Sequence, residues 1–271
     1  MKKFGLPPYY QTDHAVSALS ESETFKRNTI VIDDENFSFV TSGDKPGSDA
    51  QKQVIVFVHG SPGQWDAWAD YLSDDDLLEH FFMIAVDRLG FGGSDNGIHE
   101  ESLERHARFI MSAVKASLPE RRDIIVIGHS YGGPVALQMA IDYPDRVGGL
   151  ALLAPSIAPD LEVPRWYNHL AALSIVKHLL PSSVRHSNEE ILPLKRELNA
   201  MQDRLSTIEI PVIVLQGTAD KLVPYKNAEF AKTTLINADV TVQLIEDRGH
   251  FIPWQDFELV KKTLFKLSNR H

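Results

Sequence analysis

Ile124-Ile125-Val126-Ile127-Gly128-His129-Ser130-Tyr131-Gly132-Gly133-Pro134 is the stretch on which the reading of this chain turns. Four consecutive aliphatic residues, three of them isoleucine, form a run of buried-strand length that ends at a glycine. The following segment is helix-like, and Pro134 falls in its first turn, where a missing N–H costs nothing. Between strand and helix stands one serine flanked by Gly128 and Gly132. A sharp strand-to-helix turn brings two backbones together, so the residues around the serine must be nearly without side chains. The serine itself is forced to stand proud of the turn.

Outward from this turn the same rhythm recurs. Apolar runs lie at 54–58, 81–86, 124–127, 150–153, 212–215 and 240–245, five of them nearly continuous in apolar character. The segments 65–72, 103–118, 134–143, 227–236 and 257–267 between and after them suit helices. Strands without alternation are buried on both faces, and strand alternating with helix means a parallel sheet covered on both sides. Ahead of them, 29–32 and 37–40 read as a hairpin turning at 33–36, for about eight strands in total. The 43–53 segment is a polar loop. Between Pro155 and Pro211 no strand occurs, which predicts a helical cap. Trp166, Leu170, Leu173, Val176 and Leu180 have helical spacing over 164–180, and Ser187 with Glu190 three residues on reads as a capping box opening a second helix.

Three further motifs follow strands. His59-Gly60-Ser61-Pro62-Gly63 comes after 54–58, Asp87-Arg88-Leu89-Gly90-Phe91-Gly92-Gly93-Ser94-Asp95 after 81–86, and Arg248-Gly249-His250-Phe251 after 240–245. The second fails as a dinucleotide fingerprint because Asp95 replaces its last glycine. Together with Gly128-His129-Ser130-Tyr131-Gly132, this order resembles the α/β-hydrolase superfamily over residues 29–268. The resemblance implies an α/β-hydrolase fold with a helical cap inserted before the acid-bearing strand. It divides the chain into an arm (1–28), a core (29–155 and 207–271) and a cap (156–206). It also implies a nucleophile at Ser130, a base at His250 and an acid at Asp220, with Asp160 as the alternative acid. The oxyanion-hole donors would be the amides of Ser61 and Tyr131. His59 and the Asp87 turn are expected to be structural. Trp65, Trp166, Leu170, Leu173 and Phe251 are candidate substrate contacts.

Composition narrows the chemistry. The 271 residues are 43% apolar and 24% charged, which excludes disordered chains, collagens and small disulfide scaffolds. There is no cysteine, hence no disulfide, thiolate metal site or cysteine nucleophile. Basic residues number 27 against 37 acidic ones, and a net charge of −10 disfavours nucleic acid or an anionic membrane as partner. No run approaches a membrane span, and Gly5, Pro7, Pro8 and Asp13 interrupt the N-terminal segment where a signal peptide needs an apolar core, so a cytoplasmic location is expected. No histidine spacing suggests a metal, and the expected mechanism calls for no cofactor.

A serine at the elbow suits acyl transfer, whereas relatives that attack a carbon of an epoxide or haloalkane carry aspartate there. The expected activity is hydrolysis of esters or lactones of small uncharged molecules. Alternatives within the superfamily are carbon–carbon bond hydrolases, many with Trp where Phe251 stands; haloperoxidase-like proteins, often with Met where Tyr131 stands; and aminopeptidase-like proteins, with an acidic cap cluster. A non-hydrolytic ligand-binding receptor is the alternative from another class. Monomer and homodimer remain equally open from sequence.

Overall fold

The computed structural model describes residues 13–44, 52–164, 166–173, 176 and 179–269. The first twelve residues of the expected arm, most of the 43–53 loop, and His178 and His271 lie outside them. Eight strands make one sheet: β1 (Lys26–Ile32), β2 (Glu35–Ser42), β3 (Gln53–Val58), β4 (Phe81–Val86), β5 (Ile124–His129), β6 (Val147–Leu153), β7 (Val212–Gly217) and β8 (Val240–Ile245). Their order across the sheet is β1-β2-β4-β3-β5-β6-β7-β8. β2 is antiparallel to both β1 and β4, and every later pairing is parallel.

Period-two alternation distributes the continuous apolar strands between two cores. Val54, Val56, Val58, Val126 and Leu152 face one layer, with Phe109, Ile110, Val114, Val135 and Met139 from the helices Leu103–Ser117 and Gly132–Asp142. Ile55, Phe57, Ile125, Ile127 and Leu153 face the other, with Trp68, Tyr71, Val260 and Leu264. Asp33 and Asp34, both with positive φ, make the two-residue turn that closes the β1–β2 hairpin.

The structure differs from the sequence reading in several places. A helix, Asp13–Glu21, lies within the expected arm, with Leu19 buried in the second core, and β1 begins at Lys26, also inside the arm. A short helix at Asp75–His80 was not anticipated; Asp74 caps it by accepting from the Leu77 amide. Among the described residues of the insertion between β6 and β7 the α-helices are Trp166–Ala171, Ser182–Ile191 and Leu194–Gln202. Ser187 and Glu190 do not open a helix. They lie in the second half of Ser182–Ile191, because their side chains are taken up by the core below instead of by helix amides. Among the described residues no helix is long and apolar enough to cross a membrane.

Candidate active site

β5 delivers Ser130 to its turn with φ at 54°, the left-handed region that an ordinary side chain adopts only under constraint. The constraint is the backbone approach expected from the two glycines. A Cβ on Gly128 would sit 2.2 Å from the Gly132 carbonyl oxygen, and one on Gly132 would sit 2.3 Å from that of Val58. The turn is fastened further by the Ser130 amide on the Leu153 carbonyl (3.0 Å) and the Ser156 amide on the Ser130 carbonyl (3.2 Å).

The loops after β7 and β8 meet beside it. His250 Nδ1 lies 2.8 Å from Asp220 Oδ2, while Asp220 Oδ1 accepts the Leu222 and Val223 amides (2.8 and 2.9 Å). Burial opposes charge on Asp220, but the hydrogen bond from His250, its charge and these amides outweigh it, and the carboxyl titrates below its usual range. Asp160, the alternative acid, is 98% exposed and pairs with Lys195 at 3.3 Å. Ser130, His250, Ser61 and Tyr131 line one cleft of about 660 Å³. The Ser130 hydroxyl hydrogen-bonds none of the described residues. Nor, among them, do the amides of Ser61 and Tyr131 find an acceptor.

Sequence reasoning missed what holds the Ser61 loop. Arg88, fully buried, donates from Nε to the His59 carbonyl (3.0 Å) and from Nη2 to the Gly60 carbonyl (2.9 Å), while its amide donates to His59 Nε2 (3.0 Å). His59 is therefore the Nδ1–H tautomer, and that proton goes to the Gly60 carbonyl at 2.7 Å. Burial first, and then the Arg88 charge, push its pKa well below 6.5. The Arg88 guanidinium is closed from above by Glu190, at 2.7 and 2.9 Å. Burial opposes ionisation of Glu190, yet Arg88 brings its pKa to about 2. A second contact from the same helix runs from Ser61 Oγ to Ser187 Oγ (2.8 Å), and His186 Nδ1 meets the Gly90 carbonyl at 2.8 Å. A lone arginine between Asp87 and Leu89 directly after an apolar strand was the available signal. Nothing local marked Glu190 as its partner. The Asp87 turn is structural as expected: its carboxylate accepts the Trp65 and Gly93 amides, both at 2.8 Å.

His129 was also overlooked. Its Nε2 donates to the His250 carbonyl (3.0 Å), and the two rings stand 4.7 Å apart. Burial, then the neighbouring His250, lower its pKa to about 3, so it acts as a neutral strut beneath the His250 loop. Among the described residues no group of three His, Asp or Glu converges as a metal site would require.

A family profile described as alpha/beta hydrolase fold matches residues 53–174. The dihydrolipoyllysine-residue acetyltransferase component of an acetoin cleaving system from Cupriavidus necator is 34% identical to this chain; the match covers 78% of the chain and 63% of that relative's length. The chain belongs to the α/β-hydrolase superfamily. The monoglyceride lipase of Rattus norvegicus is 24% identical, with 82% of each chain covered. Among solved structures, this α/β-hydrolase shares its fold with Est816, an N-acyl homoserine lactone degrading enzyme, at a TM-score of 0.70 and 22% identity over 88% of this chain and 99% of that one.

The expected substrate contacts of this α/β-hydrolase need correction. Trp65 is only 6% exposed and packs in the core beside Phe25, with the Arg27 guanidinium 4.7 Å from its ring. Trp166, Leu170 and Leu173 are 75%, 45% and 56% exposed and do not line the cleft. Asn168 and Ala171, three apart, face it instead, so the spacing identified the right helix but the wrong face. Phe251 sits against His250 and Trp254, outside the lining. Val184, Ser187, Asn188 and Ile191 from the next helix, and Leu161, Glu162 and Val163 ahead of them, add to the wall.

Proposed function

We propose that this chain is a serine hydrolase that cleaves carboxylic esters or lactones of small uncharged molecules through an acyl-enzyme on Ser130. The observation that carries the reading is the 2.8 Å contact of His250 Nδ1 with Asp220, in the cleft that also holds Ser130. With its Nδ1–H donated to the Asp220 carboxylate, His250 presents Nε2 as a base. It takes the Ser130 proton as Oγ bonds the carbonyl carbon, and the carbonyl electron pair moves onto oxygen. The unengaged Ser61 and Tyr131 amides receive that oxyanion. Collapse breaks the bond to the leaving alkoxide, which takes the proton from His250; water then repeats the sequence and frees the acid.

Arg88 acts one step behind. In a planar trans peptide the carbonyl and the following N–H point opposite ways. Holding the Gly60 carbonyl towards Arg88 therefore turns the Ser61 N–H away from it, to the side on which a reacting oxygen would sit. The helices of residues 156–206 act as a cap that walls the cleft and selects substrates. The names of the monoglyceride lipase and of Est816 agree with ester and lactone chemistry. The test is a panel of activated esters and lactones run with a serine-reactive phosphonate whose adduct is located by mass. Turnover together with an adduct on Ser130 is expected. Stoichiometric ligand binding without turnover, or an adduct on another serine, overturns the reading.

A further inference from the structure

Within the cleft one charged group is left out of the chemistry above. Glu162 lies just after the short helical turn Pro159–Leu161 and lines the same wall as Ser130 and His250. The Ser156 hydroxyl donates to its Oε1 at 2.5 Å. Among the described residues no other group hydrogen-bonds or ion-pairs this carboxyl. Its tether is close to the reacting centre, because the Ser156 amide is bonded to the carbonyl of Ser130 itself.

Several other polar groups of the wall are engaged with one another: Ser61 with Ser187, and Asn168 with Asn188 through paired contacts of 2.9 and 3.0 Å. Besides Glu162, the ionisable side chains among the described residues of the lining are Tyr131 and His250. A largely buried carboxylate that, among the described residues, has one neutral donor and no cation carries a demand for a second donor, and burial accordingly pushes its pKa up. A substrate bound in the cleft that Glu162 lines lies within its reach.

We propose that Glu162 determines specificity by accepting a hydrogen bond from an O–H or N–H group that the substrate carries close to its scissile carbonyl. A hydroxyl and an ammonium satisfy the same acceptor. A carboxylate in that place is repelled. The assignment rests on the hydrolase reading for its assay but not for its binding logic.

The experiment compares kcat/KM for p-nitrophenyl esters of butyrate, β-hydroxybutyrate, β-aminobutyrate and hemisuccinate. Calorimetry of the matching methyl ketones, which have no leaving group, provides the binding arm. The wild-type protein is expected to favour a donor-bearing ester over butyrate by roughly 10–100-fold, the range of a hydrogen bond to a charged group, and to rank hemisuccinate last. Glu162→Leu should bring the ratio close to one. Glu162→Gln, which keeps an acceptor of the same size, should preserve part of a hydroxyl preference and lose an ammonium preference, which tells the two donors apart. Ser156→Ala, which releases the tether, should shrink the ratio several-fold. A wild-type ratio near one, or a ratio unchanged in Glu162→Leu, overturns the proposal. Ketones that bind with a Glu162-dependent preference while no ester is turned over would refute the hydrolase reading and leave this one standing. Ester hydrolysis without donor preference would do the reverse.

Discussion

Glu190 grips both terminal nitrogens of Arg88, and neither side chain reaches solvent. The pair joins a helix of the insertion to the loop that follows β3, on the two carbonyls that precede Ser61. Desolvating two charges is costly, and a buried pair of this kind is poor evidence for stability gained. Its geometry has another value. One guanidinium fixes two successive peptide planes from one side, which a lysine ammonium, lacking the planar fork, does not reproduce.

Glu190→Gln is expected to leave the Arg88 cation buried without its counter-charge, destabilising the fold by about 3–5 kcal/mol. Because Arg88 is then held less firmly on the Gly60 carbonyl, kcat should also fall, by up to about 10²-fold, the scale of one oxyanion donor, with KM changed less. Urea midpoints and steady-state kinetics on the same preparation check both. A loss of stability with unchanged kcat would show that the pair does not position the Ser61 loop. Since the folded-state pKa of Glu190 is about 2, the pair itself persists in mild acid and is lost only as pH falls towards that value.

Ser130→Ala should abolish most turnover while keeping the fold, with kcat down by about 10⁶-fold and a residue of activity from the oxyanion hole and binding. Circular dichroism beside a chromogenic ester assay checks it. A variant that keeps a tenth of the rate would rule out Ser130 as nucleophile.

Asp220→Asn should lower kcat by roughly 10⁴-fold by presenting His250 in the wrong tautomer. Asp160→Asn, at a solvent-exposed carboxylate paired with Lys195, should leave kcat within a factor of about two. Measuring both under one set of conditions decides between them, and a larger effect at Asp160 would move the acid to the start of the insertion.

His129 makes acid stability a test of the site's scaffold. Below pH 6.5 the unfolded chain takes up a proton at this position that the folded protein refuses until about pH 3, so stability is complete above pH 6.5 and drains away beneath it. The slope from this one group is up to about 1.4 kcal/mol per pH unit. His129→Asn should flatten the pH dependence of the Tm between those limits, leaving the slope that His59 and His106, also lowered by burial, contribute. Parallel profiles in the two proteins would contradict this.

Substrate size should respond to Ile191 and Val184, which face the cleft, and not to Trp166, which faces away. Ile191→Ala is expected to shift the optimum of an acyl chain-length series towards longer chains, since removing a partly buried branched side chain from the cleft wall opens room for one or more methylenes. Trp166→Ala should leave the order of the series as it was. A changed order in the tryptophan variant would mean that the insertion closes over substrate in another arrangement.

The sheet and the Ser130 turn could be read from sequence because their causes are local. Continuous apolar runs announce doubly covered strands, as 81–86 does for the fully buried β4, and the run 240–245 agrees with the edge strand β8 to the residue. Gly128 and Gly132 announce a close backbone approach whatever surrounds them. Asp220 and His250 were placed by the superfamily resemblance, which sets the acid and the base after the last two strands. What failed depended on partners remote in sequence. Ser187 and Glu190 have the spacing of a capping box, but Ser61 and Arg88, more than a hundred residues earlier, take their side chains. Over the six residues of Trp166–Ala171, the apolar face turned outward because Asn168 is drawn inward to Asn188. Periodicity finds a helix of that length without telling which way it faces.

The helix Ser182–Ile191 reaches the core through three neighbouring side chains, His186 and Glu190 on the loop after β4 and Ser187 on the loop after β3. That arrangement limits recombination. A foreign insertion spliced between β6 and β7 would supply new walls for the cleft, yet it would strand Arg88 beneath it unless a carboxylate arrived at the equivalent turn. Chimeras that retain residues 182–191 and exchange only the neighbouring segments keep the loops seated. Substrate range in this chain is thus open to engineering piecemeal, one cleft-facing position at a time, and resists wholesale transplantation.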